Sequence, residues 1–396
     1  MNVIATIILS IAAGFLQTAR ASKNVQNSQS RVNHDVNLPV NGGIHSVSPS
    51  LKYLIATFPD IKTVGYTHLP DTVWRPLYIG EVEKPTHVAV DAVHQRLFVS
   101  DQALNKIFVY GLIIEEDGLL KTNGLQRVAV NEMNASYMAV NGVGDLYFSG
   151  LPNTSPSATP SWAVYRMDEA KIAIGNVLNP VPIYTQSNSG YPSSAVFKPT
   201  GVAVDSFNVY WGNGEQGTTH GALCSGTRQN IGVTVGLEVN IFSKAIPEVR
   251  GITVTGQTVY YLSPDGVYGL EKSSWTDTLH DPDFGKIQDA PYSDAKSIAF
   301  DGETTLYWTE GKTGIIYSVP ASDTNHHPLV KYVDAPQVHG VTVFSLTGLA
   351  KSQVLKSETA MYQNSATVVE DSAAHHAWSL RSAILSLAVM MAKLFS

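Results

Sequence analysis

The sequence has a single cysteine, Cys224, among its 396 residues. No intramolecular disulfide can form, so the chain must hold together by packing, and the cysteine-rich modules common outside the cell are excluded. Long Leu/Ala/Glu/Lys stretches of helical character are missing too. Gly (31), Pro (20) and Tyr (18) are plentiful instead, which favours many short strands joined by tight turns. Positive charge is scarce: 26 Lys and Arg against 33 Asp and Glu give a formal net charge of −7. An acidic surface argues against nucleic acid and against anionic lipid as general partners. Catalytic grammar is thin, with no G-x-S-x-G elbow, no H-E-x-x-H and no Cys/His spacing suited to zinc. The adjacent pairs His326-His327 and His375-His376 read as solvated. Cys224 has no basic neighbour to activate it and reads as a small core residue.

Both ends carry apolar runs too short to cross a bilayer. Residues 3–16, followed by Ala19-Arg20-Ala21, have the form of a signal peptide over 1–21. Ser372-Ala373-Ala374, a polar spacer and the run 383–392 have the form of a GPI attachment signal, with the hydrophobic tail at 375–396. Loss of both ends removes Arg20, Arg381 and Lys393 and moves the formal charge from −7 to −10. Sequons at Asn134 and Asn153 make these the expected glycosylation sites of a secretory protein. The expected location is extracellular or GPI-anchored at the cell surface, with membrane contact only through that lipid and the chain monomeric. Polar segments at 22–47 and 347–374, the second expected to be disordered, flank a region that is periodic.

That periodicity dominates the sequence. The phrase PTHVAVD at 85–91 returns as ASYMAVN (135–141), PTGVAVD (199–205), VRGITVT (249–255), AKSIAFD (295–301) and VHGVTVF (338–344), at spacings of 50, 64, 50, 46 and 43 residues. A second strand follows each of the first five: RLFVSD (96–101), DLYFSG (145–150), NVYWGN (208–213), TVYYLS (258–263) and TLYWTE (305–310). Third and fourth strands follow, the fourth blade's outer strand being the hardest to place. Four strands per 43–64 residues is the period of a propeller blade. The middle of each first strand is small (Ala89, Ala139, Ala203, Thr253, Ala299, Thr342) between two bulky neighbours. Side chains alternate across a strand, so each inner strand should show a small residue to one adjoining blade and large ones to the other. The sixth repeat stops after one strand. Its missing partners lie at the start of the chain, in 52–57, 62–69 and 75–82. The expected fold is all-β, a six-bladed β-propeller over 48–346, its last blade closed by N- and C-terminal strands.

These repeats resemble the YWTD repeats of the low-density-lipoprotein receptor class, and more loosely NHL repeats, both of the six-bladed TolB-like propellers. Leu306-Tyr307-Trp308-Thr309-Glu310 lies closest to the signature, Val209-Tyr210-Trp211-Gly212-Asn213 next; the second and fourth blades are degraded. The resemblance spans most of 50–344 and implies a module that binds protein without catalysis. Asp91, Asp205 and Asp301, with Asn141, read as caps of the turns they precede. The aromatic residues of the second strands read as blade-to-blade packing.

The residues just before each inner strand should rim one mouth of the central channel: Thr86, Ser136, Thr200, Arg250, Lys296 and His339. Arg250, Lys296 and His339 fall in consecutive blades, with His87 and Tyr137 beside them. On an acidic chain this basic arc is the candidate binding site, suited to an anionic ligand or an extracellular protein partner. The loops 150–162 and 212–221 are further candidates for contact. No catalytic residue and no cofactor are expected on this reading. The alternative is a metal-dependent hydrolase similar to the gluconolactonase/SMP-30 group or to strictosidine-synthase-like propellers. There Glu83, Asn134, Glu248 and Asp294 would supply oxygen ligands to a divalent cation in the channel. Carboxylates converging on one point would favour that alternative; cations facing a common opening would favour binding.

Overall fold

The computed structural model describes residues 51–69, 71–153, 162–173, 180–185, 195–214, 221–228, 239–273, 278–279, 285–291, 294–321 and 329–346. Both terminal segments, the two His-His pairs and the centres of the two candidate loops lie outside them. The described residues form six sheets, antiparallel but for the short strand Thr278–Leu279 added in parallel to the third, each with its own innermost strand: Pro85–Asp91, Met133–Val140, Pro199–Val204, Gly251–Val254, Ala295–Phe300 and Val341–Leu346. The protein is a six-bladed β-propeller.

Closure is as the incomplete sixth repeat requires. Val341–Leu346 pairs with Leu51–Phe58, and that strand continues outward to Thr63–His68 and Arg75–Leu77. The register sets Tyr53 opposite Phe344 and Ile55 opposite Thr342, and the Tyr53 and Phe344 rings stack at 6.1 Å. The outermost strand of this blade is shorter than the expected 75–82. It stops before Gly80, whose φ of +74° turns the chain away. The fourth blade's outer strand is Lys286–Asp289. One helix, Glu169–Ala173, has no counterpart in the repeat; it docks Ile172 between the first two blades, and the Glu169 N–H donates to Asp145.

Small-against-large packing of the inner strands is observed. Ala89 packs in one cluster with Met138, Ala139 with Val202 and Val204, Ala203 with Ile252 and Val254, and Ala299 with Val341 and Val343. At these four boundaries a blade offers its small residue to the next blade's large ones. The second-strand aromatics fill the wider space outside: Trp211 stacks on Tyr184 at 4.5 Å and Trp308 on Tyr317 at 5.4 Å, both tryptophans fully buried. Cys224 is buried in the same layer as Trp211.

The Asx residues cap turns as expected. Asp91 Oδ1 accepts from the N–H groups of Val93 and His94, Asp205 Oδ1 from Phe207 and Asn208, Asp301 Oδ1 from Glu303, Thr304 and Thr305, and Asn141 Oδ1 from Val143 and Asp145. Charged partners add to three of them: Asp91 pairs with Arg96, Asp205 with Lys272 of the next blade, and Asp301 with Lys52 of the closing blade. Burial pushes the Asp301 carboxyl up, but its three backbone donors and Lys52 outweigh this and hold it below the usual carboxylate range. These turns all lie on one face of the propeller. The residues before the inner strands lie on the other, here called the rim face.

Candidate functional site

The rim is built where the six inner strands begin around the channel. Their N–H and C=O groups are buried there and need partners. A position of the repeat that the sequence reading passed over supplies them: the residue after the second aromatic of the signature. Thr309 Oγ1 accepts the Ser297 N–H of its own blade and donates to the His339 C=O of the next, at 3.1 and 2.7 Å. Thr57 does the same at the closing blade, accepting from Gly340 N–H and donating to Thr86 C=O. Ser149 donates to Thr200 C=O across the second boundary. In the third and fourth blades this position is Gly212 and Leu262, and neither can bond. Thr200 reaches Val249 C=O instead, and Arg250 reaches Ala295 C=O at 3.4 Å. At the first boundary His87 Nδ1 accepts the Met138 N–H at 3.3 Å. Every boundary between adjacent blades is therefore laced at the rim by a side chain.

The five residues expected to bind are brought together, but in another way than as an open arc of positive charge. Tyr137 crosses the channel, from the second blade to the fifth, and donates its hydroxyl to the Lys296 C=O at 2.6 Å. His87, 7% exposed, stacks obliquely on Tyr137 at 5.0 Å. Since its Nδ1 accepts from Met138, its Nε2 carries the proton and donates to Ser297 Oγ at 3.3 Å. Burial pushes the His87 imidazole down to about 3, with the nearby His339 adding a little, so the ring is neutral at pH 7. His339 Nδ1 donates to Thr86 C=O at 2.8 Å, and burial holds it below the usual imidazole range. Burial likewise drives the Tyr137 phenol far up. Beneath this bridge lies a cavity of about 190 Å3, lined by the inner strands from His87, Tyr137 and Ser297 down to Val90 and Val343. None of Thr86, Ser136, Thr200, Arg250, Lys296 and His339 lines it. The expectation of a mouth open at the rim is corrected: Tyr137 and His87 span it.

The second correction concerns charge. Arg250 and Lys296 do not stand bare. Arg250 Nη2 meets Glu248 at 3.0 Å, and Lys296 Nζ pairs with Asp294. Two of the four oxygen ligands considered for a divalent cation are thus the salt-bridge partners of the two rim cations. The third, Glu83, pairs with Lys62, both half exposed. Asn134 keeps Oδ1 buried and without a partner. Among the described residues no group of three or more His, Cys, Asp or Glu side chains is placed to hold a metal ion. The set Glu83, Asn134, Glu248 and Asp294 does not converge. The rim face carries instead ion pairs, these three and that of Lys286 with Asp265 and Asp289 among them. Asn153, the second sequon residue, is exposed, and its N–H bonds the Glu132 C=O.

One further carboxylate lies below the rim. Glu310 ends the best-preserved signature, is fully buried, and accepts the Asp294 N–H through Oε1 while Oε2 has no partner. Burial pushes its carboxyl above the usual range. In the first blade the shorter Asp101 fills the same place, and its two oxygens take the N–H groups of Glu83, Lys84, Ala103 and Leu104.

No family model matches the chain, and no curated protein does. Among solved structures the chain is similar to one in a nidogen/laminin complex, with 12% identity over 74% of this chain and 98% of that one and a TM-score of 0.49. It is also similar to a gluconolactonase from Xanthomonas campestris, with 16% identity over 68% of this chain and 86% of that one and a TM-score of 0.40. One neighbour comes from a protein complex and the other is an enzyme, so these likenesses do not discriminate between the two functions.

Proposed function

We propose that the propeller is a protein-binding module of the secretory route, held outside the cell and presenting its rim face to an extracellular protein. One observation carries this reading: Glu248 and Asp294 are engaged by Arg250 and Lys296 in a crown of ion pairs of both signs. Such a surface gives register and specificity against a polar protein face more readily than a field for a small anion or a cage for a cation. Entry to the secretory route and the GPI anchor rest on the apolar runs 3–16 and 383–392, and glycosylation on the two sequons. Asn153, exposed, is the better acceptor of the two.

The test pairs two measurements on the full chain. Capture from extracellular fractions, with bound proteins identified, should yield a partner that the exchange Asp294→Lys with Lys296→Asp releases while the melting temperature holds. Thermal melting with calcium, magnesium or zinc should show no shift. A divalent-ion shift abolished by Asp294→Asn or Glu248→Gln, together with lactone hydrolysis, would overturn the binding reading in favour of the hydrolase.

A further inference from the structure

The two faces of the propeller differ in what they leave in water. On the rim face the exposed large apolar side chains among the described residues are Ile61 and Leu104, with Tyr78 (82%) at the rim-ward end of the closing blade's outer strand. The opposite face carries many more, including Phe207 (78%), Val93 (61%), Val73 (57%) and Val143 (56%). Phe207, Val93 and Val143 occupy one position of the repeat, two residues after the capping Asx in three consecutive blades. Each donates its own N–H to that cap, at 2.8 to 3.1 Å. The backbone is therefore pinned and the apolar tip is held outward. In the next two blades the same position is Gln257 and Glu303. Val73 lies in the third-to-fourth-strand turn of the closing blade, on the same face.

A soluble surface scatters single apolar residues, but it does not place rigid apolar tips at one repeat position on one side of the ring. The chain also leaves the ring here. Leu51 pairs with Leu346 at this face, and the sequence beyond Leu346 contains the apolar run 383–392. We propose that this face, through Phe207, Val93, Val143 and Val73, rests on the interface of a neutral or zwitterionic lipid bilayer. Apolar tips would sit at the headgroup–acyl boundary, with the rim face turned outward. The net charge of −7 favours uncharged over anionic headgroups. This deepens the surface-held reading by giving the molecule an orientation, and it can fail while that reading stands.

The test uses full-length chain with an environment-sensitive fluorophore on Phe207→Cys, and on Leu104→Cys as the rim-face control; the native Cys224 is buried. With phosphatidylcholine vesicles the label at 207 should shift to the blue and the label at 104 should not. Phosphatidylserine should weaken the shift. The triple variant Val93→Ser, Val143→Ser, Phe207→Ser should lower vesicle retention at least threefold at unchanged melting temperature. Retention on vesicles with a water-exposed label at 207 overturns the orientation and leaves anchoring intact. No retention at all, a shift at 104 instead, or a concentration-dependent shift at 207 without lipid, which marks a second copy of the chain as the occupant, also overturns it.

Discussion

The boundary that closes the ring and the boundary between the third and fourth blades meet the same need by different means. At closure, Thr57 and Gly340 fit as a pair. The hydroxyl serves two backbone groups, and Gly340 leaves room because a Cβ there would lie 2.7 Å from His87 Cα. Between the third and fourth blades the equivalent position is Gly212, and the space a side chain would need is filled by Val249. The hydroxyl is then supplied from Thr200, one strand inward. Rim chemistry in this fold is fixed by which backbone groups must be satisfied, while the residue that satisfies them is free to change. That is how a guanidinium came to lace the boundary between blades four and five, where Leu262 has nothing to offer.

The sharpest way to break this comparison is Gly212→Ser, which restores the repeat by sequence and violates it by volume. It should cost about 3 kcal/mol or more, read as a fall in the urea midpoint, and a double-mutant cycle with Val249→Ala should show favourable coupling. Next comes pH. The folded His87 is depressed from 6.5 to about 3, so the stability held by its neutral form is complete above pH 6.5 and is lost as pH falls toward 3. The loss is about 1.4 kcal/mol per unit over that window. Acid unfolding followed by circular dichroism should show this slope in the wild type and a shallower one in His87→Asn, with His339 keeping part of it. Thr57→Val and Thr309→Val should each cost about 2 kcal/mol by stranding a buried N–H and a buried C=O, and the serine variants should be close to wild type. Arg250→Met, at a half-buried position with a long hydrogen bond, should cost about 1 kcal/mol in the same assay. Glu310→Gln should raise stability slightly at pH 7 and lose that advantage in acid, since a carboxyl raised in the folded state favours the protonated form and stabilises only below its folded pKa.

Much of the architecture was legible because it repeats. A small residue between two large ones at one offset is a local statement about a crowded axis, and six copies make it a global one. The closing strand could be found because one repeat broke off and its complement stood at the other end. The caps Asp91, Asp205 and Asp301 were readable because an Asx side chain acts within three residues of itself. The rim was different. His87 and Tyr137 were seen as positions beside a mouth, but their contacts run to Ser297 and Lys296, roughly 160 to 210 positions away. No periodicity encodes which side chain crosses an axis. The pairing of Arg250 with Glu248 and of Lys296 with Asp294 stood in the sequence at a separation of two. Each cation and its carboxylate form one neutral pair at the rim and not two separate sites. Glu310 was visible only as a departure from the signature, and its extra methylene acquires meaning once Asp101 shows what the shorter side chain does.

The bond from Gly340 to Thr57 joins residues 283 positions apart. A nascent chain leaving the ribosome therefore carries Leu51–Phe58 as an unmated sheet edge through the synthesis of five whole blades, until Val341–Leu346 emerges. Any product that stops short of residue 341 keeps that edge open. For this protein, the last few residues translated into the ring decide whether the first ones made become interior or an invitation to aggregate.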